Sequence, residues 1–325
     1  MRLSLIDRSR TRSGRPDAEA LVGSIERAVH AERLGYERFW VAEHHAVPGI
    51  ASGSPPVLLA AIGAHTSTIR LGSGGVMLPH HQPLVVAEQF LMLDALYPHR
   101  LDLGLGRSLG FTAPVRRALR HEPEDSAEPD TFEDDLGELR GYLEGVGPVT
   151  ARPALDRAVP MHLLATGRGL AVAARLGLPV VVGGPILDGA EIGELLAGYR
   201  RGFRPHRGSA PSVAVSLDVT VASDDAAARE LALPEAWAMA RSRQTGEFPP
   251  LEPAADLRSR RWSDQVRRRV EGTLDRAVVG GPETVRRALE RLAARTGADE
   301  LLASTSTYDR DALLASDAAL RDLVA

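Results

Sequence analysis

Eight short apolar runs recur along the chain, and helix-patterned segments separate most of them. The runs lie near residues 2–6, 37–43, 69–77, 101–106, 161–165, 179–183, 213–221 and 299–304. Helical patterns cover about 55–66, 84–97, 167–177 and 188–203. A last crossover runs from Gly280-Gly281-Pro282 to Gly297, with proline in the first turn and glycine past the end. Such alternation implies a parallel sheet, and eight units close naturally into a barrel. The expected fold is therefore α/β, a (β/α)8 TIM barrel forming a single domain over residues 1–325, with an open doubly wound sheet as the alternative. Two stretches break the rhythm. Residues 107–135 hold Gly110, Pro114 and an acidic stretch from Glu122 to Asp135. Residues 241–276 hold Pro249-Pro250, Pro253 and the basic clusters Arg258 to Arg261 and Arg267 to Arg269. Both are expected as insertions over or beside the C-terminal face of the barrel. The arginines read either as a solvated helix face or as a lid.

The second run carries the clearest chemical signal. Phe39-Trp40-Val41-Ala42-Glu43-His44-His45 is apolar until it ends in an acid and two imidazoles. An uncharged stretch of this kind suits a parallel strand buried on both faces. Barrels place catalytic groups at the carboxyl ends of such strands. In the preceding helix, Ala18, Leu21, Val22, Ile25, Ala28 and Val29 recur at helical spacing, which predicts the buried face, and Gly35 supplies the stop.

Composition removes several functions. The net charge is −4, from 39 basic and 43 acidic residues, so neither nucleic acid nor an anionic membrane is an indicated partner. No apolar run reaches bilayer length, and the N-terminus turns polar and arginine-rich within a few residues, unlike a secretory leader. A cytoplasmic location is expected. Cysteine is absent, which removes disulfides, thiolate nucleophiles and cysteine metal ligands together. Every basic residue is arginine and asparagine is absent, a pattern of GC-rich coding; adaptation to heat would bring lysine.

Four of the ten histidines, His44, His45, His80 and His81, come just after the second and third runs. Imidazole titrates near neutral pH and exchanges protons without special tuning. Metal binding is the competing use. Adjacent residues of a regular strand point to opposite faces, so His44 and His45 cannot both aim inward. No carboxylate cluster at metal spacing accompanies them in the sequence, and no metal is expected. Glycines inside the third run, Gly72-Ser73-Gly74-Gly75, mark close approach of a ligand or another backbone. Gly104 to Gly110 has GxGxxxG spacing rather than GxGxxG, and Pro114 interrupts the segment after it, which excludes a dinucleotide fingerprint. Arg107 at this tip reads as a fixed cation for a phosphate or an anionic ring, or as a structural ion pair with the acidic segment. Thr166-Gly167-Arg168-Gly169 opens a helix, where free N–H groups suit an anion.

Taken together, these tips resemble the bacterial luciferase-like flavin monooxygenases. The matching segments are Phe39 to His45, Ile69 to Pro79, Ala87-Glu88-Gln89-Phe90, Arg100 to Arg107, Val279 to Glu283 and Thr296 to Leu301. The resemblance spans nearly the whole chain; it is strong over 36–107 and weaker over 108–160 and 222–276. It implies a (β/α)8 barrel, reduced FMN as co-substrate, molecular oxygen, and a homodimer formed by the early helices. Residue by residue, it implies His44 as the catalytic histidine and Arg107 as a flavin contact. Gly74 and Gly75, joined by a cis peptide and preceded by Ser73, would lie beneath the isoalloxazine. Thr166, Gly167, Arg168 and Gly169 would bind the FMN phosphate, although this turn departs from the usual serines. Gly106 stands where some relatives carry cysteine. Glu43, His45 and His81 would support the pocket, Glu43 either orienting the histidines or capping the strand end through a buried ion pair.

The resulting expectation is a two-component monooxygenase. A separate NAD(P)H:flavin reductase would deliver reduced FMN, and the substrate would be a small organic molecule, such as an aromatic polyketide in secondary metabolism. From sequence alone, a non-catalytic flavin-binding subunit, a deazaflavin (F420)-dependent oxidoreductase and a metal-dependent hydrolase stay open.

Overall fold

The apolar runs satisfy one another's backbone groups as a closed parallel ladder in a computed structural model that describes residues 1–109, 112–120 and 131–324. The first half of the described chain contains β1 (Arg2–Asp7), α1 (Ala18–Leu34), β2 (Arg38–Val41), α2 (Pro55–Gly63), β3 (Arg70–Ser73), β4 (Val76–Met77), α3 (Pro83–Leu96), β5 (Leu101–Gly106), α4 (Ala113–Ala118) and α5 (Phe132–Leu143). Then come β6 (Met161–Leu164), α6 (Arg168–Leu176), β7 (Val180–Gly183), α7 (Ile192–Gly202), β8 (Val213–Val221) and α8 (Asp225–Thr245). The chain closes with α9 (Ala254–Ser259), α10 (Asp264–Leu274), β9 (Val278–Gly280), α11 (Pro282–Thr296), β10 (Glu300–Ser304) and α12 (Arg310–Val324).

Neighbouring strands pair in the order β10, β1, β2, β3, β5, β6, β7, β8, and β8 pairs back onto β10 to close the ring. The open-sheet alternative is thereby excluded. β3 and β4 are two halves of one stave, separated at Gly74–Gly75, whose peptide is cis. One strand was not expected. β9 pairs with the upper end of β8, Val219 to Val221, beyond the barrel proper. Its three residues, Val278-Val279-Gly280, are too few to separate by pattern from the helix after them.

The barrel interior is filled around one indole. Trp40 is 1% exposed and clusters with Ile6, Val181 and Leu302. A Cβ on Gly72 would lie 2.2 Å from its Nε1, one on Gly104 2.9 Å from Cζ3, and one on Gly74 3.4 Å from Cε3. Gly72 therefore makes room for a side chain, rather than for the ligand or second backbone that its sequence position suggested. Ser73 is likewise internal, with Oγ donating to Gly104 O at 2.7 Å.

The buried face of α1 differs from the apolar pattern. Ala20, Ser24, Arg27, Ala28 and Ala31 are buried, whereas Val22 is exposed. The reason is electrostatic. Arg27, 1% exposed, donates to Asp317 at 2.7 and 2.8 Å, to Asp7 at 2.9 Å and to the Thr305 carbonyl at 3.1 Å. Isolated in an apolar setting its charge would be prohibitive, but every donor direction used here meets an oxygen. A second ionic set ties the strand starts together. Arg38 bridges Asp102 at 2.7 Å and Glu300 at 2.9 Å. Barrel ends of this polarity serve stability rather than chemistry.

The insertion over 241–276 forms a wall beside the barrel mouth. α9 and α10 pack on α8 around Trp237, Leu257, Val266, Val270 and Leu274, a cluster separate from the main core. Of the earlier insertion, Gly110 and Glu122 to Asp130 lie outside the described residues.

The indole constraint gives a direct test. Gly72→Ala should cost about 3 kcal/mol or more, since the neighbour it meets is a ring fixed on all sides. Trp40→Phe in the same chain should recover part of that loss, a coupling readable from guanidinium midpoints of the two single variants and the double variant.

Candidate active site

Beyond Val41 the chain leaves the ladder but stays tightly held. Ala42 N donates to Asp7 O at 3.0 Å, Ser52 Oγ donates to Ala42 O at 2.7 Å, and His44 N donates to Ser52 O at 3.0 Å. Adjacent side chains then diverge, as strand alternation requires. Glu43 and His45 turn to one side and His44 to the other.

On the first side, Glu43 is buried and gathers groups from two strand tips. Its Oε1 accepts from His45 Nε2 at 2.7 Å and from His81 Nε2 at 2.8 Å, and its Oε2 accepts from Met77 N at 3.1 Å. Burial pushes its carboxyl up, but the hydrogen bonds from His45, His81 and the Met77 backbone outweigh this and hold it at about 2. Glu43 is thus an orienting carboxylate for His45 and His81, not for the adjacent pair. The three residues also form a group whose ligating atoms lie within 4.8 Å of one another. The sequence showed no such cluster because His81 stands 38 positions away from Glu43. His80 stacks edge-on to His45, with ring centroids 6.0 Å apart.

On the second side, His44 lines a cavity of about 640 Å³ at the carboxyl ends of the strands. Burial, then the charges of Arg8 and Arg10, push its pKa down from the ordinary 6.5 to about 4, against a smaller opposing pull from Glu43. It is therefore neutral at pH 7. Ile6, Ala42 and Gly74 line the cavity beside it, and Gly183, Gly184 and Ser216 lie on the β7–β8 side. Arg8 also faces the cavity. It donates to Glu235 Oε1 at 3.1 Å, to Ser304 Oγ at 3.0 Å and to the Asp218 carboxylate. Burial would lower the Arg8 pKa, but Asp218 and Glu235 more than compensate, so it is a fixed cation. Arg10 holds the same Glu235 at 2.8 Å.

Arg8, Asp218 and Glu235 were missed in the sequence. A signal for two of them was present: Arg8 stands just past the first apolar run, and Asp218 is a lone acid inside the seventh. Other expected residues lie elsewhere. Arg107, at the end of β5, is exposed, with its guanidinium carbon 5.9 Å from the centre of the Phe132 ring. Thr166, Gly167 and Arg168 are exposed where α6 begins, and Gly169 is half-buried. None of these five borders the large cavity. Ser73 is enclosed in the barrel and does not face it either.

An imidazole thus stands beside bare glycine backbone at the C-terminal face of a parallel barrel. The luciferase-like monooxygenase family model matches residues 1–300, and the chain belongs to that family. A luciferase-like monooxygenase of Escherichia coli K12 is 35% identical over 320 residues, covering 96% of this chain and 94% of its own. The crystal structure of apo-MsnO8 superposes with a TM-score of 0.87 at 35% identity, covering 99% of this chain and 98% of that one. The oxygenating constituent of 3,6-diketocamphane monooxygenase from Pseudomonas putida, a type II Baeyer–Villiger enzyme solved with FMN, shares the fold. Its TM-score is 0.79 at 20% identity, with 100% of this chain and 98% of that one covered.

His44 also sets a pH dependence of stability. An imidazole with a depressed folded pKa contributes stability that is present above pH 6.5 and is lost as pH falls toward about 4. That contribution amounts to about 3 kcal/mol. The stability difference between the wild-type chain and His44→Gln should therefore shrink by that order between pH 7 and pH 4 in urea titrations. A pH-independent difference would show that the imidazole is not held neutral.

Proposed function

We propose that this chain is the oxygenase of a two-component monooxygenase, taking reduced FMN from a separate NAD(P)H:flavin reductase and oxidising a small organic substrate with O2. The observation that carries the reading is a neutral, half-buried His44 set beside Gly74 in a cavity of ligand size.

The residues present fit a flavin at two places. Gly74 and Ala42 line the cavity with little or no side chain, a wall against which a flat ring could lie. Gly167, with φ +49°, begins the turn into α6, whose first N–H groups, with the Thr166 hydroxyl and the Arg168 guanidinium, would take the phosphate, and Arg107 would assist from the next tip. Reduced FMN, when bound, supplies the two electrons with which one oxygen atom enters the substrate and the other leaves as water. The chain's own part is positional and protic. At neutral pH His44 is an uncharged imidazole with one bare ring nitrogen, which would accept a proton and return it. Ile6, Leu187 and Leu217 line the same cavity and exclude water from it. Arg8 places a fixed positive charge against the site. The sequence offers no GxGxxG turn, and this supports a separate reductase for NAD(P)H oxidation.

A homodimer through the early helices is supported by a run of exposed apolar residues. Val22 of α1, Val57 of α2 and Val85, Met92 and Leu96 of α3 are 54, 71, 47, 56 and 63% exposed. No helix among the described residues is long and apolar enough to cross a membrane.

With a flavin reductase, NADH, FMN and candidate substrates, His44→Ala should lower product formation by roughly 10²-fold while NADH consumption by the reductase continues. Unimpaired product formation would remove His44 from the chemistry. The chain alone should leave NADH and NADPH untouched, and direct turnover of either would refute the two-component scheme. Met92→Glu with Leu96→Glu should convert a dimer to a monomer in sedimentation velocity runs.

A further inference from the structure

A second recess, of about 350 Å³, adjoins the large cavity and is lined by Arg243, Gln265, Arg268, Arg269, Gly272 and Arg276. Arg243 and Arg276 border both spaces. Four guanidinium groups from two helices and the turn after them thus converge on one pocket. None of the four has a carboxylate or carbonyl partner among the described residues. Arg269 Nη1 is buried and makes no hydrogen bond there. Buried donors are ordinarily satisfied, so this unpaired donor marks the Arg269 head group as one that no described group of the chain neutralises.

The contrast with neighbouring arginines is sharp. In the same insertion Arg258 pairs with Glu230, and Arg260 with Glu252. Two acids adjacent to lining residues, Glu271 and Asp275, lie against Arg229 on α8. Arg258 and Arg260 are thus neutralised locally, whereas Arg243, Arg268, Arg269 and Arg276 line the recess. Like charges held this close repel one another, and an anion relieves that repulsion. The guanidinium fork matches carboxylate, sulfonate and phosphate oxygens in pairs.

We infer that this recess binds the anionic end of the organic substrate, an oxyanion bearing more than one negative charge, while the rest of the molecule extends through the shared opening toward His44. This rests on the reading of the large cavity as the oxidation site. It assigns Arg243 and Arg276 as specificity-determining residues and names the substrate class as a phosphate monoester or a dicarboxylate.

The test uses the intact chain with inorganic phosphate, succinate and FMN as separate probes in calorimetric titrations. One of the two anions should bind saturably at a single site, and the tighter one identifies the group. Arg243→Met with Arg276→Met, both at exposed positions, should weaken that binding by about 10-fold or more and change FMN affinity by less than roughly 2-fold. Bound FMN should leave anion binding intact. Absence of saturable binding of either anion to the FMN-loaded chain, or equal binding by the double variant, would each overturn the inference. Anion binding that depends on the two arginines in a chain that takes up no FMN would leave the recess standing and refute the flavin reading instead.

Discussion

The interior of this barrel is organised by the volume of Trp40. An indole standing inward from β2 occupies space that side chains from β3 and β5 would otherwise share, and Gly72 and Gly104 yield it. The ring is anchored at its rim: Nε1 donates to Asp102 Oδ2 at 3.4 Å, and His162 meets it edge-on with centroids 5.2 Å apart. Asp102 in turn is held by Arg38 and Arg70, so the packing of the core and the ionic set at the strand starts share one residue. Above the indole, Gly74 and Ile6 form the floor on which the cavity rests. Filling the barrel and shaping the base of the site are thus consequences of the same large side chain.

The site above that floor depends on two neighbouring histidines facing opposite ways. Pleating sends His44 into the cavity and His45 behind it, and Glu43 makes the division permanent by accepting from His45 and His81 while the Met77 N–H engages its other oxygen. Burial and the cations Arg8 and Arg10 then keep His44 unprotonated. The imidazole at the cavity is neutral because burial disfavours its charge and its neighbours already carry the positive charge.

Much of this was legible in the chain because it is local. The apolar runs, the glycine stops and the acid-imidazole tip after Val41 are patterns of a few residues, and they located all eight staves and His44. What escaped was set by long-range encounters. Arg27 turned the buried face of α1 because Asp7 and Asp317 meet it, and no helical periodicity of apolar residues contains that information. His81 joined Glu43 only through the pairing of β2 with β3 and its continuation. The glycines at 72 and 74 looked alike in sequence, yet one serves an indole and the other faces the cavity. Arg107 and the turn at 166–169 stand on strand tips as expected, but which tips open onto the large cavity is decided by α8, α10 and α11, whose side chains border it.

The far wall of the cavity is carried by a hydrophobic cluster of its own, built from Trp237, Leu257, Val266, Val270 and Leu274 and hung on the upper end of β8 through β9. Its side chains toward the cavity, among them Met239, Arg243, Thr273 and Arg276, belong to helices and turns that contribute nothing to the barrel interior. Substitutions at these positions leave the indole and its glycines untouched. A lineage with this arrangement can exchange the molecule it recognises while inheriting its reaction chemistry unchanged.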